Sequence, residues 1–326
     1  MDKIKKIAVL YGGLSSEREI SLKSGMGVHK AICDLGYESD LIDFKNLNNL
    51  HELKVYDFVF IALHGFEGEG GKLQQDLDDL NILYSGSNSM ACRNTWNKRL
   101  AKEILKKNNI RTPVWLEVKF TKTIVNNGLH VTPYDRFRPF EYLFLKPEED
   151  GSSVDIFKIS DEDSLRAAYK KCTNPNRGFL FEEYIHGREI TVTIIDKECY
   201  PPIEIITKNE FYDYDAKYIS DDTLHVAAAL TQNELDEIKS IAMNAFEVLD
   251  CKAWARVDMI QDKKGKFYVI EINTVPGMTS HSNVPKSGGL LGLTYNEVVQ
   301  KIIDASLKKI IPDNIFLNFN RFICRI

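Results

Sequence analysis

Arg256, Asp258, Glu271 and Asn273 are the residues whose types and spacing point most directly to chemistry. The stretch Arg256-Val-Asp-Met-Ile-Gln-Asp-Lys-Lys-Gly-Lys-Phe-Tyr-Val-Ile-Glu-Ile-Asn273 reads as a β-hairpin with a polar turn at Asp262 to Gly265. Side chains alternate along a strand, so Arg256 and Asp258 share a face opposite Val257 and Met259. Glu271 and Asn273 share a face opposite Ile270 and Ile272 by the same rule. Folding about the turn brings the two polar sets together at the far end. Two carboxylates and an amide oxygen facing one point make a hard-oxygen site suited to Mg²⁺. An arginine beside them can hold a phosphate or a developing oxyanion. A surface hairpin with a solvated polar face satisfies the same alternation.

Four other stretches carry chemical potential. Lys146-Pro-Glu-Glu-Asp-Gly151-Ser152-Ser153 puts a lysine at a strand end before a glycine-serine loop, which can set a cation and N–H and O–H donors on a polyphosphate. It is not a Walker A motif, and a plain turn fits it equally well. Phe181-Glu182-Glu183-Tyr-Ile185-His-Gly-Arg-Glu189 ends an apolar strand with acids that can meet an adenine amine and a ribose hydroxyl, or simply solvent. His64-Gly-Phe-Glu-Gly-Glu-Gly-Gly71 follows an apolar strand, where sites of α/β proteins gather, and its glycines imply close backbone approach. Phe211-Tyr-Asp-Tyr-Asp-Ala-Lys217-Tyr218 lacks core periodicity and reads as a mobile functional loop.

These residues need α/β elements to hold them. Lys6–Leu10 reads as a strand, broken by Tyr11-Gly-Gly13. A helix is predicted to start at Ser16 with Glu19 closing a capping box. Strands near 38–42 and 58–62 with a helix near 26–35 complete a βαβ pattern and a mostly parallel sheet. The helix 97–107 leads to a second block with the strand 142–147. A third block starts near Glu183 and contains the hairpin and an amphipathic helix near 232–249. The expected division is 1–95, 96–182 and 183–310, with 311–326 as a tail of unassigned role.

The chain has 326 residues, 44% hydrophobic and 27% charged, enough for more than one cored domain. A net charge of -5 without a basic block argues against nucleic acid. The start lacks a signal-peptide run and no apolar stretch is long enough to span a membrane, so a cytoplasmic protein is expected. The 6 cysteines are scattered with no CxxC pair and read as reduced thiols.

Taken together, the motifs resemble those of the D-alanine–D-alanine ligases of the ATP-grasp superfamily, from about Lys6 to about Ile303. Tyr11-Gly-Gly-Leu-Ser-Ser-Glu17 and the residues to Gly25 are similar to the family's N-terminal signature, and His64-Gly-x-x-Gly-Glu69 to its second. Trp254-Ala-Arg256-Val-Asp258 and Glu271-Ile-Asn273-Thr-x-Pro-Gly-Met-Thr-Ser-His281-Ser282 are similar to its C-terminal signature. The resemblance implies a three-domain α/β ATP-grasp fold with a Rossmann-like first domain, ATP held between the central and C-terminal domains, and a homodimer. It implies ligation of two D-alanines through an acyl phosphate, for peptidoglycan precursor synthesis.

Carried over position by position, Lys98, Lys146 and the Ser153 loop would hold the ATP phosphates. Glu182, with the backbone at Glu183 and Ile185, would take adenine, and Glu189 the ribose. Asp258, Glu271 and Asn273 would hold two Mg²⁺ (or Mn²⁺) ions. Glu17 would meet the ammonium of the first D-alanine, linked to Ser152 and Tyr218, with His64 nearby. Lys217 would reach the γ-phosphate as its loop closes, and Arg256 would sit on the oxyanion. Ser282 and Asn283 would meet the carboxylate end of the second D-alanine.

The chain departs from the family pattern at Gly70, where aspartate is usual, and at Trp96-Asn97, where Met-Asp is usual. Asp155 stands where glycine is common, placing a negative charge near the phosphate loop, and Asn283 stands where leucine is usual. Two other readings stand beside the dipeptide ligase: a related ligase with D-lactate or D-serine as acceptor, and a nucleotide-binding homologue without catalysis. Tyr218 argues against the first alternative and the intact Lys98, Lys146, Arg256, Asp258, Glu271 and Asn273 against the second.

Overall fold

The computed structural model describes residues 4–118, 142–151, 154–207 and 223–308. The loop 211–218, Ser152, Ser153 and the tail 311–326 lie outside them.

The first unit is a parallel sheet in the order β2 (Glu38–Asp43), β1 (Lys6–Tyr11), β3 (Phe58–Ile61), as the βαβ pattern predicts. One helix, α1 (Arg18–Asp34), connects β1 to β2. It starts two residues later than predicted, and no side chain caps it. Ser15 explains the delay: its Oγ donates to the His64 carbonyl at 2.9 Å and accepts from Glu17 N–H at 3.2 Å, which ties this turn to the loop after β3. That loop folds into α2 (Phe66–Glu69) and α3 (Lys72–Asp79), followed by α4 (Ser89–Trp96) and α5 (Lys98–Lys107). Asn97 caps α5 by accepting from Leu100 N–H at 2.9 Å.

A four-stranded antiparallel sheet follows, in the order β4 (Trp115–Val118), β7 (Phe179–Glu183), β5 (Leu143–Pro147), β6 (Phe157–Ile159). The helix α6 (Glu162–Lys171) covers it, burying Leu165 and Ala168 against Phe179 and Phe181. The remaining chain forms an antiparallel sheet built on β8 (Gly187–Ile195), with β9 (Glu198–Cys199), β10 (Ile203–Ile206), β11 (Leu224–Ala227), β12 (Trp254–Asp262) and β13 (Phe267–Asn273). Its covering helix is α7 (Gln232–Val248), started by a Thr231–Glu234 capping box. The chain then runs through α8 (Asn283–Leu290) and α9 (Tyr295–Lys308).

One core cluster joins the first and third sheets, and a second joins α5 to the third sheet. α1 and α9 meet through Val28, Ile32, Val298 and Ile302, in one cluster with Ile7 and Val9 of β1 and Trp254 of β12. α5 is wedged beneath the third sheet, where Ala101 and Leu105 join Ile190, Val257 and Phe246. No helix among the described residues is long and apolar enough to cross a membrane.

Candidate active site

The predicted hairpin is present, and Asp262 makes its turn by accepting from Lys264 and Lys266 N–H groups, each at 2.8 Å. Arg256 pairs across to Asn273 and Asp258 to Glu271, so the four residues form the expected polar end. One detail departs from simple alternation. The register shifts between Asp258 and Met259, and Met259 pairs with Val269, which leaves Ile270 as an extra residue on β13. This β-bulge explains why Ile272, out of step with Phe267 and Val269, is buried in the same core as they are. It also puts Ile270 on the cavity wall beside Glu271 rather than opposite it.

The Asp258 carboxylate is held from two sides. Arg256 donates from Nε to Oδ1 at 2.8 Å and from Nη2 to Oδ2 at 2.7 Å, and Thr191 Oγ1 donates to Oδ1 at 2.6 Å. Asn273 Oδ1 accepts from Val275 N–H at 3.0 Å, which fixes the side chain at the strand end. Among the described residues no group of three or more His, Cys, Asp and Glu is arranged to hold a metal. Two carboxylates and an amide suit instead a hard cation that takes its other ligands from phosphate and water.

A cavity of about 1310 Å³ opens over this hairpin end. Glu17, His64, Lys98, Lys146, Glu182, Glu183, Ile185, Glu189, Arg256, Asp258, Glu271, Asn273, Ser282 and Asn283 all line it, although they come from distant parts of the chain. The other candidates, Ser152, Ser153, Lys217 and Tyr218, lie outside the described residues.

One end of the cavity has the character of a nucleotide slot. Phe144, Ile260 and Ile270 supply apolar wall, and Tyr184 meets Phe144 edge-on at 5.2 Å. Glu189 on β8 stands between Ile205 and Ile260 of the neighbouring strands. Lys98 begins α5 and donates from Nζ to the Asp150 carbonyl at 2.5 Å, which clips the helix start to the loop after β5. Glu182 is 2% exposed and its carboxylate is paired with Lys146 at 2.5 Å and Lys102 at 2.7 Å. Burial alone would raise this carboxyl, but the two ammonium groups outweigh it and hold it at about 2.

A second group of cavity residues gathers around α1. Glu17 is buried at the helix start, so close to the loop after β5 that a Cβ on Gly151 would stand 3.2 Å from its Oε1. His64 is buried between Ser24 and Val275: Nδ1 lies 2.9 Å from the Val275 carbonyl and Nε2 lies 3.1 Å from Ser24 Oγ. A carbonyl only accepts, so Nδ1 carries the proton, and Nε2 accepts from Ser24. Burial lowers the His64 pKa, which fits this neutral tautomer. Glu69, absent from the sequence-derived candidates, is buried in the same wall and accepts from Gly65 N–H at 2.8 Å. Burial, with Glu17 and Glu271 nearby, raises its carboxyl pKa.

At the third corner Ser282 precedes α8 and accepts from Thr279 N–H at 3.0 Å. Asn283 is 5% exposed, and its Oδ1 lies 2.7 Å from Nδ1 of His225 on β11. Lys286, one turn on, lines the same corner.

The departures from the family pattern also find local reasons. Asp155 has a φ of 54°, in the left-handed region where glycine is at ease and aspartate is tolerated. Its carboxylate is paired with Arg177, which also pairs with Asp150 of the loop after β5, and Thr173 donates to it from Oγ1 at 2.7 Å. A Cβ on Gly70 would come within 2.6 Å of the Phe66 ring, and Phe66 packs at 6.1 Å from Trp96. Gly70 and Trp96 therefore belong to one local packing arrangement.

Comparison with known proteins gives the same answer along almost the whole chain. A family model described as D-ala D-ala ligase C-terminus matches residues 135–304. The D-alanine–D-alanine ligase B of Clostridium perfringens is 37% identical over 306 residues, covering 93% of this chain and 99% of the relative. The chain belongs to the D-alanine–D-alanine ligase family. The D-alanine–D-alanine ligase of Glaesserella parasuis is 38% identical over the same shares of both chains. The crystal structure of the Bacillus anthracis D-alanine–D-alanine ligase complexed with ATP superposes with a TM-score of 0.79 at 31% identity, covering 93% of this chain and 98% of that one. The ligase family has the ATP-grasp fold, and this chain shares it.

Several residues that sequence reasoning passed over line this ligase site or hold the residues that do. Glu69 sits within the His64-to-Gly71 motif and could have been read from it. Lys102 stands one helical turn beyond Lys98, the spacing that puts two side chains on one face. Thr191 stands two residues beyond Glu189 on β8, on the same sheet face by strand alternation. His225 gave no signal.

Proposed function

We propose that this protein joins two D-alanine molecules in an ATP-dependent reaction that passes through an acyl phosphate. The observation that carries the reading is the single cavity lined by fourteen sequence-derived candidates from Glu17 to Asn283. A free carboxylate resists attack by an amine because its charge opposes addition. Transfer of the γ-phosphoryl group onto it creates a good leaving group, and the second amine then attacks.

In this reading Lys98 and Lys146 orient and neutralise the phosphates, which is most of what phosphoryl transfer asks of a protein. The slot of Phe144, Ile260 and Ile270 takes adenine, with Glu182, Glu183 and Ile185 at its polar edge and Glu189 on the ribose. Glu17 pairs with the ammonium of the first D-alanine. Neutral His64 and buried Glu69 shape that end of the cavity, and Arg256 stabilises the tetrahedral oxyanion. Ser282 and Asn283 receive the carboxylate of the second D-alanine. Asp258, Glu271 and Asn273 would hold two Mg²⁺ (or Mn²⁺) ions, whose chemistry is to neutralise developing phosphate charge. Ser152, Ser153, Lys217 and Tyr218 keep the roles the family resemblance implies, and a homodimer is the proposed assembly.

One observation favours a second reading of the acceptor. Asn283 stands where leucine is usual in the family, and with His225 it puts a hydrogen-bonded polar pair in the cavity wall beside Ser282. A hydroxyl-bearing acceptor such as D-serine would find partners there. Phosphate release from ATP, measured with D-alanine alone and with D-alanine plus D-serine or D-lactate, separates the readings. The dipeptide reading expects full turnover with D-alanine alone.

A further inference from the structure

The buried carboxylate of Glu182 has a lysine on each side, and the two lysines are held differently. Lys102 is 1% exposed and its ammonium has three acceptors, the number it can satisfy: Glu182 Oε2 at 2.7 Å, Thr112 Oγ1 at 2.7 Å and the Pro113 carbonyl at 3.4 Å. The Trp115 ring lies 5.7 Å away. Lys146 approaches Glu182 Oε1 from the cavity wall, diagonally across the β5–β7 pairing. Among the described residues its ammonium meets that oxygen and the face of Phe144 at 5.2 Å.

A buried carboxylate needs a counter-ion at all times, because leaving it bare is far costlier than leaving a surface charge bare. If Lys146 were the only counter-ion, turning it toward a phosphate would strip Glu182. With Lys102 fixed on the other oxygen, Lys146 can turn without that penalty.

We propose that Lys102 is a positioning residue for nucleotide phosphates: it stays with Glu182 as its permanent counter-ion and so releases Lys146 to the phosphates. The proposal rests on the reading of the cavity as an ATP site. It predicts a loss confined to the phosphate part of the nucleotide.

The test is calorimetric binding of ADP and of adenosine to the full-length wild type, K102M, E182Q and K102M/E182Q. The ratio of the adenosine Kd to the ADP Kd reads the phosphate contribution alone. K102M should lower this ratio about tenfold, the size of one charge-assisted contact. Neutralising Glu182 releases Lys146 again, so K102M/E182Q should return to the ratio of E182Q. Equal weakening of ADP and adenosine in K102M would mean a merely structural lysine and overturn the proposal. So would a double variant with a ratio as low as that of K102M. If K102M does not fold, K102M/E182Q against E182Q decides: equal ratios support the proposal and a tenfold lower ratio overturns it. A wild-type ratio near one would overturn the ATP-site reading and the Lys102 role with it. A large wild-type ratio unchanged in K102M would overturn only the Lys102 role.

Discussion

At the scale of residues, charge is managed by pairing rather than by exposure. Asp258 is shared by Arg256 and Thr191, and Glu182 by Lys102 and Lys146. Glu271 faces the cavity opposite Asp258 and is the more direct test of a cation site. Glu271→Gln should lower ligation at limiting Mg²⁺ by about 100-fold or more, since even outer partners of a metal site are worth tenfold to a hundredfold. Near wild-type turnover by folded mutant would remove Glu271 from the site. Glu182 makes a pH prediction. Its folded pKa of about 2 lies below the usual unfolded value of about 4.3, so the unfolded chain binds the proton first as pH falls. The stability it contributes is present above about pH 4 and is lost as pH falls toward about 2. Urea unfolding should show the wild type more stable than Glu182→Gln at pH 7, with the gap closing below about pH 4. A gap that is constant from pH 7 to 3 would contradict the buried pairing. The Arg256, Asp258, Glu271 and Asn273 group was legible because four polar residues interrupted two apolar alternations. Lys102 was not, since a lysine on a helix is ordinarily solvated and only the third dimension brings Glu182 to it.

At the scale of elements, the hairpin, the parallel sheet and the helices near 97–107 and 232–249 follow from period and turn chemistry, and their bounds fall within a residue or two of expectation. The bulge on β13 was hidden, because alternation on each strand is locally regular and only pairing shows which strand carries the extra residue. The start of α1 was misread for a related reason: the Ser16–Glu19 capping box does not form, and the turn is held instead by Ser15 bonding to His64, far along the chain. The loop after β3 gives the sharpest test at this scale. A Cβ on Gly68 would stand 1.9 Å from the Leu63 carbonyl oxygen, a backbone atom with little room to yield. Gly68→Ala should cost about 1–3 kcal/mol in urea unfolding, as overpacking does. It should also raise the KM for the first D-alanine by displacing His64. Unchanged stability and KM would mean this loop does not position the site.

At the scale of the whole molecule, the first and third sheets share a core through α1, α9 and Trp254, and α5 is wedged beneath the third while its Lys102 reaches the second. The sheets around the cavity are therefore coupled through packing and, at the second sheet, through the Lys102–Glu182 ion pair. Native-state hydrogen exchange should give β1 and β12 the same highest unfolding free energy, as members of one cooperative unit. Exchange of β1 well before β12 would separate them. The parts of this coupling were visible in the sequence only as apolar stripes, and which stripes face each other was not. The central claim is that this one cavity couples ATP cleavage to joining two D-alanines. The most direct measurement follows phosphate and dipeptide together in one reaction of purified full-length protein, ATP, Mg²⁺ and D-alanine. The prediction is D-alanine-dependent phosphate release with one D-alanyl-D-alanine formed per phosphate. Folded protein that binds ATP but forms no dipeptide, or releases phosphate at the same rate without D-alanine, would contradict it.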